Sequence, residues 1–316
     1  NLEFFLIDCN SDFSTNQIKP SCNFRSESVW VGKDEKTGNY FVTPINAGST
    51  LLYIVPQDTL PKERSEITLA SLNSISNKQV VKISVADGFK TYIRVYDAQK
   101  LKSISENPSE WTKNYYIMND IDVSGVKISK IGNEDTPFAG TMTSFSSTPS
   151  TIYGFELESS SGYSGIFGVL GMQTDDDKIF TAKIENLNFD ISKLSVIRGK
   201  YVGSFAGKVE AGVKLSELAI NTQNVEISSA DQVYIGTIGI NMSSEISNIT
   251  VSFEANIKSV LQSITLGGMI AQNSATLVKG GLSAKTTITS STKNSFPVNS
   301  KIGGVVGISS GQLSNI

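Results

Sequence analysis

The segment Ile184-Glu-Asn-Leu187 returns as Leu215-Ser-Glu-Leu218, as Ile246-Ser-Asn-Ile249 and, in degenerate form, as Leu277-Val-Lys-Gly280, with each start (184, 215, 246, 277) lying 31 residues beyond the last. A fifth copy, Leu313-Ser-Asn-Ile316, begins 36 residues after the fourth (277 to 313). A fixed interval of this size is the signature of a stacked repeat, in which one unit cannot bury its apolar face alone and does so against its neighbours. The run after each motif has period two. Leu187, Phe189 and Ile191 match Leu218, Ile220 and Thr222, then Ile249, Val251 and Phe253, while Asn188, Asn221 and Ser252 alternate outward. Ahead of each copy stands a Gly-rich strand: Gly165 to Gly168, Val202 to Gly207, Ile235 to Gly239, Leu266 to Ala271 and Ile302 to Gly307.

The interval converts into geometry. Three strands of about 5 residues joined by three connections of about 5 fill one coil. Coils stacked in parallel about 4.8 Å apart, with right-handed connections, make a right-handed parallel β-helix. Its glycines are expected where strands corner tightly or backbones approach closely, since glycine alone accepts positive φ without steric cost. A propeller is disfavoured, because blades repeat at about 40 to 50 residues with a Trp-containing signature and no Trp follows Trp111.

The first 90 residues read differently. LEFFLI, ESVWV, NYFVT, TLLYIV, EITLA and QVVKISV are short runs broken by Gly, Pro, Asn and Asp, the pattern of an antiparallel, immunoglobulin-like β-sandwich. Gly38-Asn39 marks the tip of a hairpin. A short helix follows, with Asp97 as its cap, Leu101 and Ile104 on one face and Pro108 beyond its end. Because a solenoid must cover its terminal coil, this helix is the expected N-terminal cap. The expected organisation is therefore all-β: a sandwich over residues 1–90 and a β-helix over 91–316, continuing beyond Ile316, which falls inside a repeat.

Composition narrows the chemistry. Histidine is absent among 316 residues, which removes Ser-His-Asp and Cys-His nucleophiles, the HExxH zinc site and any imidazole base. With 27 basic and 30 acidic residues, a net charge of -3 and no basic run, nucleic acid is not an expected partner. No stretch approaches the roughly 18 consecutive apolar residues of a membrane span. The chain opens on Asn1, so a processed or excised piece of a longer protein is expected. Cys9 and Cys22, its two cysteines, are separated by turn-prone polar sequence. They suit a disulfide, which would add about 3 kcal/mol and argue for export.

The run YDAQKLKSISENPSEWTKNYYIMNDIDVSG, followed by PFAGTM, SGIFG, IENLNFDI, YVGSFAGKV and IGGVVG, resembles the GLUG-repeat β-helices of bacterial surface adhesins and of the N-terminal regions of IgA-protease-type peptidases. The resemblance covers about Ile93 to Ile316. It departs from the family where the usual Gly-Asn-Gly turn is replaced by SFSSTPST (Ser144 to Thr151), and where the fourth coil lacks the IxNL match. It implies an exported, cell-surface or extracellular element that binds a host, cell or polymer ligand, an extracellular protein or glycan, or acts as a stalk. The peptidase-like members carry zinc in another domain.

Among residues with chemistry of their own, Asp175, Asp176 and Asp177 form an acidic triple able to offer oxygens to calcium, though without the alternating DxDxDG spacing. No other cofactor is expected. Asp120 and Asp122 lie two apart on one strand face, as a glycan-active enzyme would need of paired acids, or as satisfied partners of backbone donors. Trp30, Tyr53, Tyr115, Tyr116 and Tyr163 suit either a saccharide platform or ordinary packing. A threonine run, Thr286 to Thr292, occurs on one coil only, which is too little for a regular ice-binding array. The expected function is a non-enzymatic adhesin or stalk; the alternative is a polysaccharide lyase or hydrolase on the same fold.

Overall fold

The computed structural model describes residues 2–8, 18–20, 24–34, 37–63, 66–85, 92–175, 178–242, 244–274, 282–290, 297 and 299–310. The chain divides into two compact units, Asn1–Ile93 and Arg94–Ile316.

In the first unit Ile18–Pro20, Leu2–Asp8, Gly48–Pro56 and Gln79–Val85 form an antiparallel sheet in that order. Phe24–Arg25, Val29–Lys33 and Tyr40–Pro44 form a second. Phe4, Leu6 and Leu52 on one face of the first sheet pack on Val29 and Val31 of the second. The other face, with Phe5, Ile7, Tyr53 and Val55, packs on Leu72 and Ile75. Burial on both faces explains why Leu2–Asp8 is a continuous apolar run rather than an alternating one. It also adds a layer to the two-sheet sandwich expected.

The added layer is helical, and it corrects the expected strand EITLA. Thr68 Oγ1 accepts from Ser71 N at 3.1 Å and Ser71 Oγ accepts from Thr68 N at 2.8 Å, a capping box that starts the helix Leu69–Ser74. In the hairpin, Lys33 faces Tyr40, and Gly38, with φ of 72°, takes the left-handed turn position.

The second unit is a parallel β-solenoid of about five turns. One wall stacks Ser150–Glu158, Lys183–Val196, Lys214–Ser229, Glu245–Val260 and Leu282–Ser290. Another stacks Tyr163–Ser164 and Phe167–Leu170 on Tyr201–Val209, then Val233–Asn241, Ile264–Gly267 with Ile270–Asn273, and Lys301–Gly303 with Val306–Ser309. The register is that of the repeat. Leu187 pairs Leu218 and Leu218 pairs Ile249; Phe189, Ile220 and Val251 form the next row, and Ile191, Thr222 and Phe253 the third. All nine are buried.

Two details differ from the expected coil. The long-wall strands of 14 to 16 residues run through their corners instead of breaking into three short pieces. At the fourth copy Ile249 pairs Leu282, a step of 33 residues (249 to 282), so the expected partner Gly280, which lies outside the described residues, is displaced by two. The copy at Leu313 to Ile316 also lies outside them.

The corners differ as well. Besides several glycines and Asn224 and Asn299, the left-handed region holds Asn186, Glu217 and Asn248, with φ of 52°, 55° and 52°, stacked one per coil. This is the third position of the repeated motif, and asparagine suits it because its short side chain tolerates positive φ. Glu217 gains no such relief. Glu217→Asn is therefore expected to raise stability by about 0.5–1 kcal/mol, read as a higher thermal midpoint; a lower midpoint would show that the Glu217 side chain stabilises this corner.

At the start of this unit Asp97 Oδ1 accepts from Lys100 N at 2.8 Å and caps the helix Ala98–Glu106. Leu101 and Ile104 are buried, and Trp111 Nε1 donates to the Ile104 carbonyl at 2.9 Å. No described helix is long and apolar enough to cross a membrane.

Candidate functional site

Polar groups are stacked inside and outside the coils, and the two sets do different work. Inside, Asn241 Nδ2 donates to Asn273 Oδ1 at 2.9 Å and Asn273 Nδ2 to Ser309 Oγ at 3.0 Å. Asn241 and Asn273 are fully buried. Such a ladder satisfies its own members and leaves nothing for a ligand. Asn241, although it begins an Asn-x-Ser sequence, is inaccessible to a sugar in the folded chain.

Outside, a ladder of tyrosines runs along the Gly-rich wall. Tyr163, Tyr201 and Tyr234 are in register on consecutive coils. The rings of Tyr163 and Tyr201 stack at 5.5 Å and 11°, and those of Tyr201 and Tyr234 at 4.8 Å and 30°. Lys208 Nζ lies 5.4 Å from the Tyr163 centroid and Lys200 Nζ 5.4 Å from that of Tyr201, so cations sit on the ladder. Tyr201 Oη donates to Gln272 Oε1 at 3.2 Å, and Gln232 Nε2 donates to Tyr234 Oη at 3.2 Å.

Glycines make room for these rings. A Cβ at Gly207 would lie 2.8 Å from Tyr163 Cβ, and one at Gly239 would lie 3.1 Å from Tyr201 Cβ, so larger residues there would lift the tyrosines off the sheet. The local signal is Tyr-x-Gly, present as Tyr163-Ser-Gly165, Tyr201-Val-Gly203 and Tyr234-Ile-Gly236. Reading the Gly-rich strands from their glycines alone misses Tyr201 and Tyr234.

Burial raises the Tyr163 phenol above the ordinary range; the Lys208 ammonium opposes this, while Glu134 and Glu210 add to it. Burial also raises Tyr201, helped by Tyr234 and Tyr163. Burial alone would lower Lys208, but its hydrogen bond and charge pairing with Glu210, at 3.0 Å, outweigh that and raise it. A tyrosine whose folded pKa is raised contributes stability that is complete below its unfolded pKa of about 10 and is lost as pH rises through the folded value. Burial raises Tyr115 and Tyr116 as well, so an ultraviolet absorbance titration of the folded chain is expected to show several late-ionising tyrosines, and two fewer in Tyr163→Phe/Tyr201→Phe. A single ordinary tyrosine transition would contradict the burial.

The other candidates fall elsewhere. Asp120 Oδ1 accepts from Thr151 N at 2.7 Å, and Asp122 Oδ1 accepts from Ser124 N at 2.8 Å. The Asp122 carboxyl is held below its usual range by Ser124, through its side chain and its backbone N–H. Both acids thus serve backbone donors. Tyr53 and Tyr115 are buried, with hydroxyls on Asn73 Oδ1 (2.8 Å) and the Glu110 carbonyl (2.6 Å). Tyr116 packs edge-on to Phe145 and Trp30 to Phe41. Of the five aromatics named from sequence, only Tyr163 joins the outer ladder.

Asp175 closes the hairpin Met172–Asp175 with Lys178–Thr181, pairing with Lys178. Asp176 and Asp177 lie outside the described residues, as do Cys9 and Cys22. Among the described residues no group of three or more Cys, Asp or Glu is placed to hold a metal.

No protein-family model matches the sequence, and no curated protein does. A solved structure of an IgA1 protease is similar over 100% of this chain and 24% of its own, with a TM-score of 0.46 and 13% identity. This chain thus spans about a quarter of that protein's length.

Proposed function

We propose that the chain is a non-enzymatic binding and spacer element of an exported surface protein. In this reading the first unit is an immunoglobulin-like module, the second a right-handed GLUG-type β-helix, and the helix Ala98–Glu106 its cap. The observation that carries the proposal is the outward ladder of Tyr163, Tyr201 and Tyr234 with Lys200 and Lys208 against its rings. With its rings repeated at the spacing of the coils, it suits a polymer lying along the solenoid, an extracellular glycan or an extended protein, which meets the same aromatic edge and hydroxyl once per coil and the two ammonium groups at the Tyr163 and Tyr201 end. The engagement of Asp120 and Asp122 with backbone donors supports binding over the alternative of a polysaccharide-active enzyme, whose acids must be available to substrate.

The test is binding to arrays of glycans and extracellular-matrix proteins, comparing the wild type with Tyr201→Ser/Tyr234→Ser. Loss of aromatic and hydroxyl contacts at two successive coils is expected to weaken binding at least about tenfold. Equal binding by the two proteins would move the ligand off the ladder, and glycan cleavage by the wild type would overturn the non-enzymatic reading. Two smaller proposals accompany it. A Cys9–Cys22 bridge would appear as two missing thiols in non-reducing mass spectrometry. Calcium at Asp175–Asp177 would appear as heat in a titration that Asp176→Asn/Asp177→Asn abolishes.

A further inference from the structure

The first coil of the solenoid takes a shorter path than the next. Asp122 is level with Tyr153, and Ile131 with Phe167. The chain therefore spends nine steps (122 to 131) where the following coil spends fourteen (153 to 167). The shortcut begins at a tight turn, with Val126 N donating to the Val123 carbonyl at 2.9 Å and Gly125 at φ 73°. From there the chain leaves the wall until Ile131, whose N–H donates to the Ile166 carbonyl at 3.0 Å.

What it leaves behind is an open strand position. Ser150–Glu158 pairs along one edge with Lys183–Val196 as far as Glu158, but along the other with Ile121–Asp122 only as far as Tyr153. Among the described residues nothing pairs with Phe155 to Glu158 on that side. A cleft of about 660 Å³ occupies the space, bounded by Glu156, Leu157 and Glu158 on the strand and by Val126, Ile128 and Lys130 on the detour. The five residues saved by the shortcut correspond to one short strand, about 17 Å.

We propose that this position accepts an extended peptide that adds a strand to the first coil, with a basic-apolar-basic pattern. Backbone pairing along an open edge is a general mode of peptide capture, in which alternate side chains set specificity. The pattern follows from the rows. Leu157 begins the inward row Leu157, Leu194, Val225, of which Leu194 and Val225 are buried while Leu157 is half-exposed, so an apolar side chain completes the row. Glu156 and Glu158 flank Leu157, are exposed and point to the other face. Glu156 already has Lys193 beside it in the following coil, and a basic residue on the peptide would place a cation on its other side. On the opposite wall stand Lys127 and Lys130, of which Lys130 is already held by a hydrogen bond to the Tyr163 carbonyl at 2.9 Å; the acids that flank Leu157 are on the strand and the cations on the detour.

The test uses the 316-residue chain and the synthetic peptide acetyl-TKVKVT-amide, with acetyl-TEVEVT-amide as its counterpart. The basic peptide is expected to slow amide hydrogen exchange at Phe155 to Glu158 and to bind at least about tenfold more tightly than the acidic one. Glu156→Lys/Glu158→Lys is expected to reverse that preference, and Tyr201→Ser/Tyr234→Ser to leave it intact, which separates this site from the tyrosine ladder. Lengthening the Ser124–Lys130 connection by about five residues of strand-forming sequence should fill the position and abolish binding. The proposal is overturned by absence of binding, by protection elsewhere, by binding that the charge reversal leaves unchanged, or by concentration-dependent protection at Phe155 to Glu158 without peptide, which would assign the edge to a second copy of the chain.

Discussion

Leu218→Asp is expected to destabilise the solenoid by several kcal/mol, and Ala219→Asp, one residue along the same strand, by less than about 1 kcal/mol. Leu218 is 2% exposed and lies between Leu187 and Ile249 in one inward row. A carboxylate there meets apolar side chains above and below, so it is either desolvated without a partner or protonated at neutral pH, and both outcomes are costly. Ala219 is exposed, with Asn188 and Thr250 as its neighbours, and no acid stands in its column to repel a new one. The two thermal midpoints decide the matter, because a one-residue slip of register exchanges the faces. Equal midpoints, or a lower one for Ala219→Asp, would mean that the rows are assigned to the wrong faces.

The rows were legible in the sequence because a period of two repeated at a period of 31 leaves little freedom. Leu187, Leu218 and Ile249 had to share a face if any of them did. The corners were less legible, since a left-handed residue carries no periodic signal of its own. Asparagine at 186 and 248 announces the corner, but Glu217 between them does not, and only the stacked φ values tie the three together. The helix Leu69–Ser74 was hidden for another reason. Its segment has the apolar content of a strand, and the deciding feature is a pair of hydroxyls, Thr68 and Ser71, each satisfying the other's backbone.

The candidate site shows the same limit. Tyr163, Tyr201 and Tyr234 belong together only once the coils are stacked, because they are separated by 38 residues (163 to 201) and 33 residues (201 to 234), neither of which is the interval of the motif. The open position beside Phe155 to Glu158 is harder still to read. It arises from residues the first coil lacks, and a missing strand leaves no mark in the sequence except the early turn at Ser124-Gly125.

Gly203→Ala is expected to be among the most damaging single-methyl changes in the chain, whereas Gly304→Ala should be nearly silent. Gly203 belongs to a column with Gly165, Gly236, Gly267 and Gly303, one per coil, at the corner of the short wall. Of the two expected reasons for glycine, positive φ and close approach of backbones, the column answers the second, since none of its members is in the left-handed region. Its requirement is space. A Cβ at Gly203 would fall far inside contact distance of the Ala206 carbonyl oxygen and 2.8 Å from that of Thr237, both backbone atoms that cannot rotate away. Relief requires opening the corner, which displaces the pairings of Gly203 and Ala206 with the next coil. Overpacking of a close-packed interior costs typically about 1–3 kcal/mol, and a clash with backbone on both sides belongs at or above the upper end. Gly304 has nothing within 4 Å of its would-be Cβ and no positive φ, so the same methyl group adds neither clash nor strain and slightly stiffens the unfolded chain. If thermal unfolding shows Gly203→Ala as mild as Gly304→Ala, then the corner is looser than its backbone contacts imply, and the glycine column is there for some reason other than space.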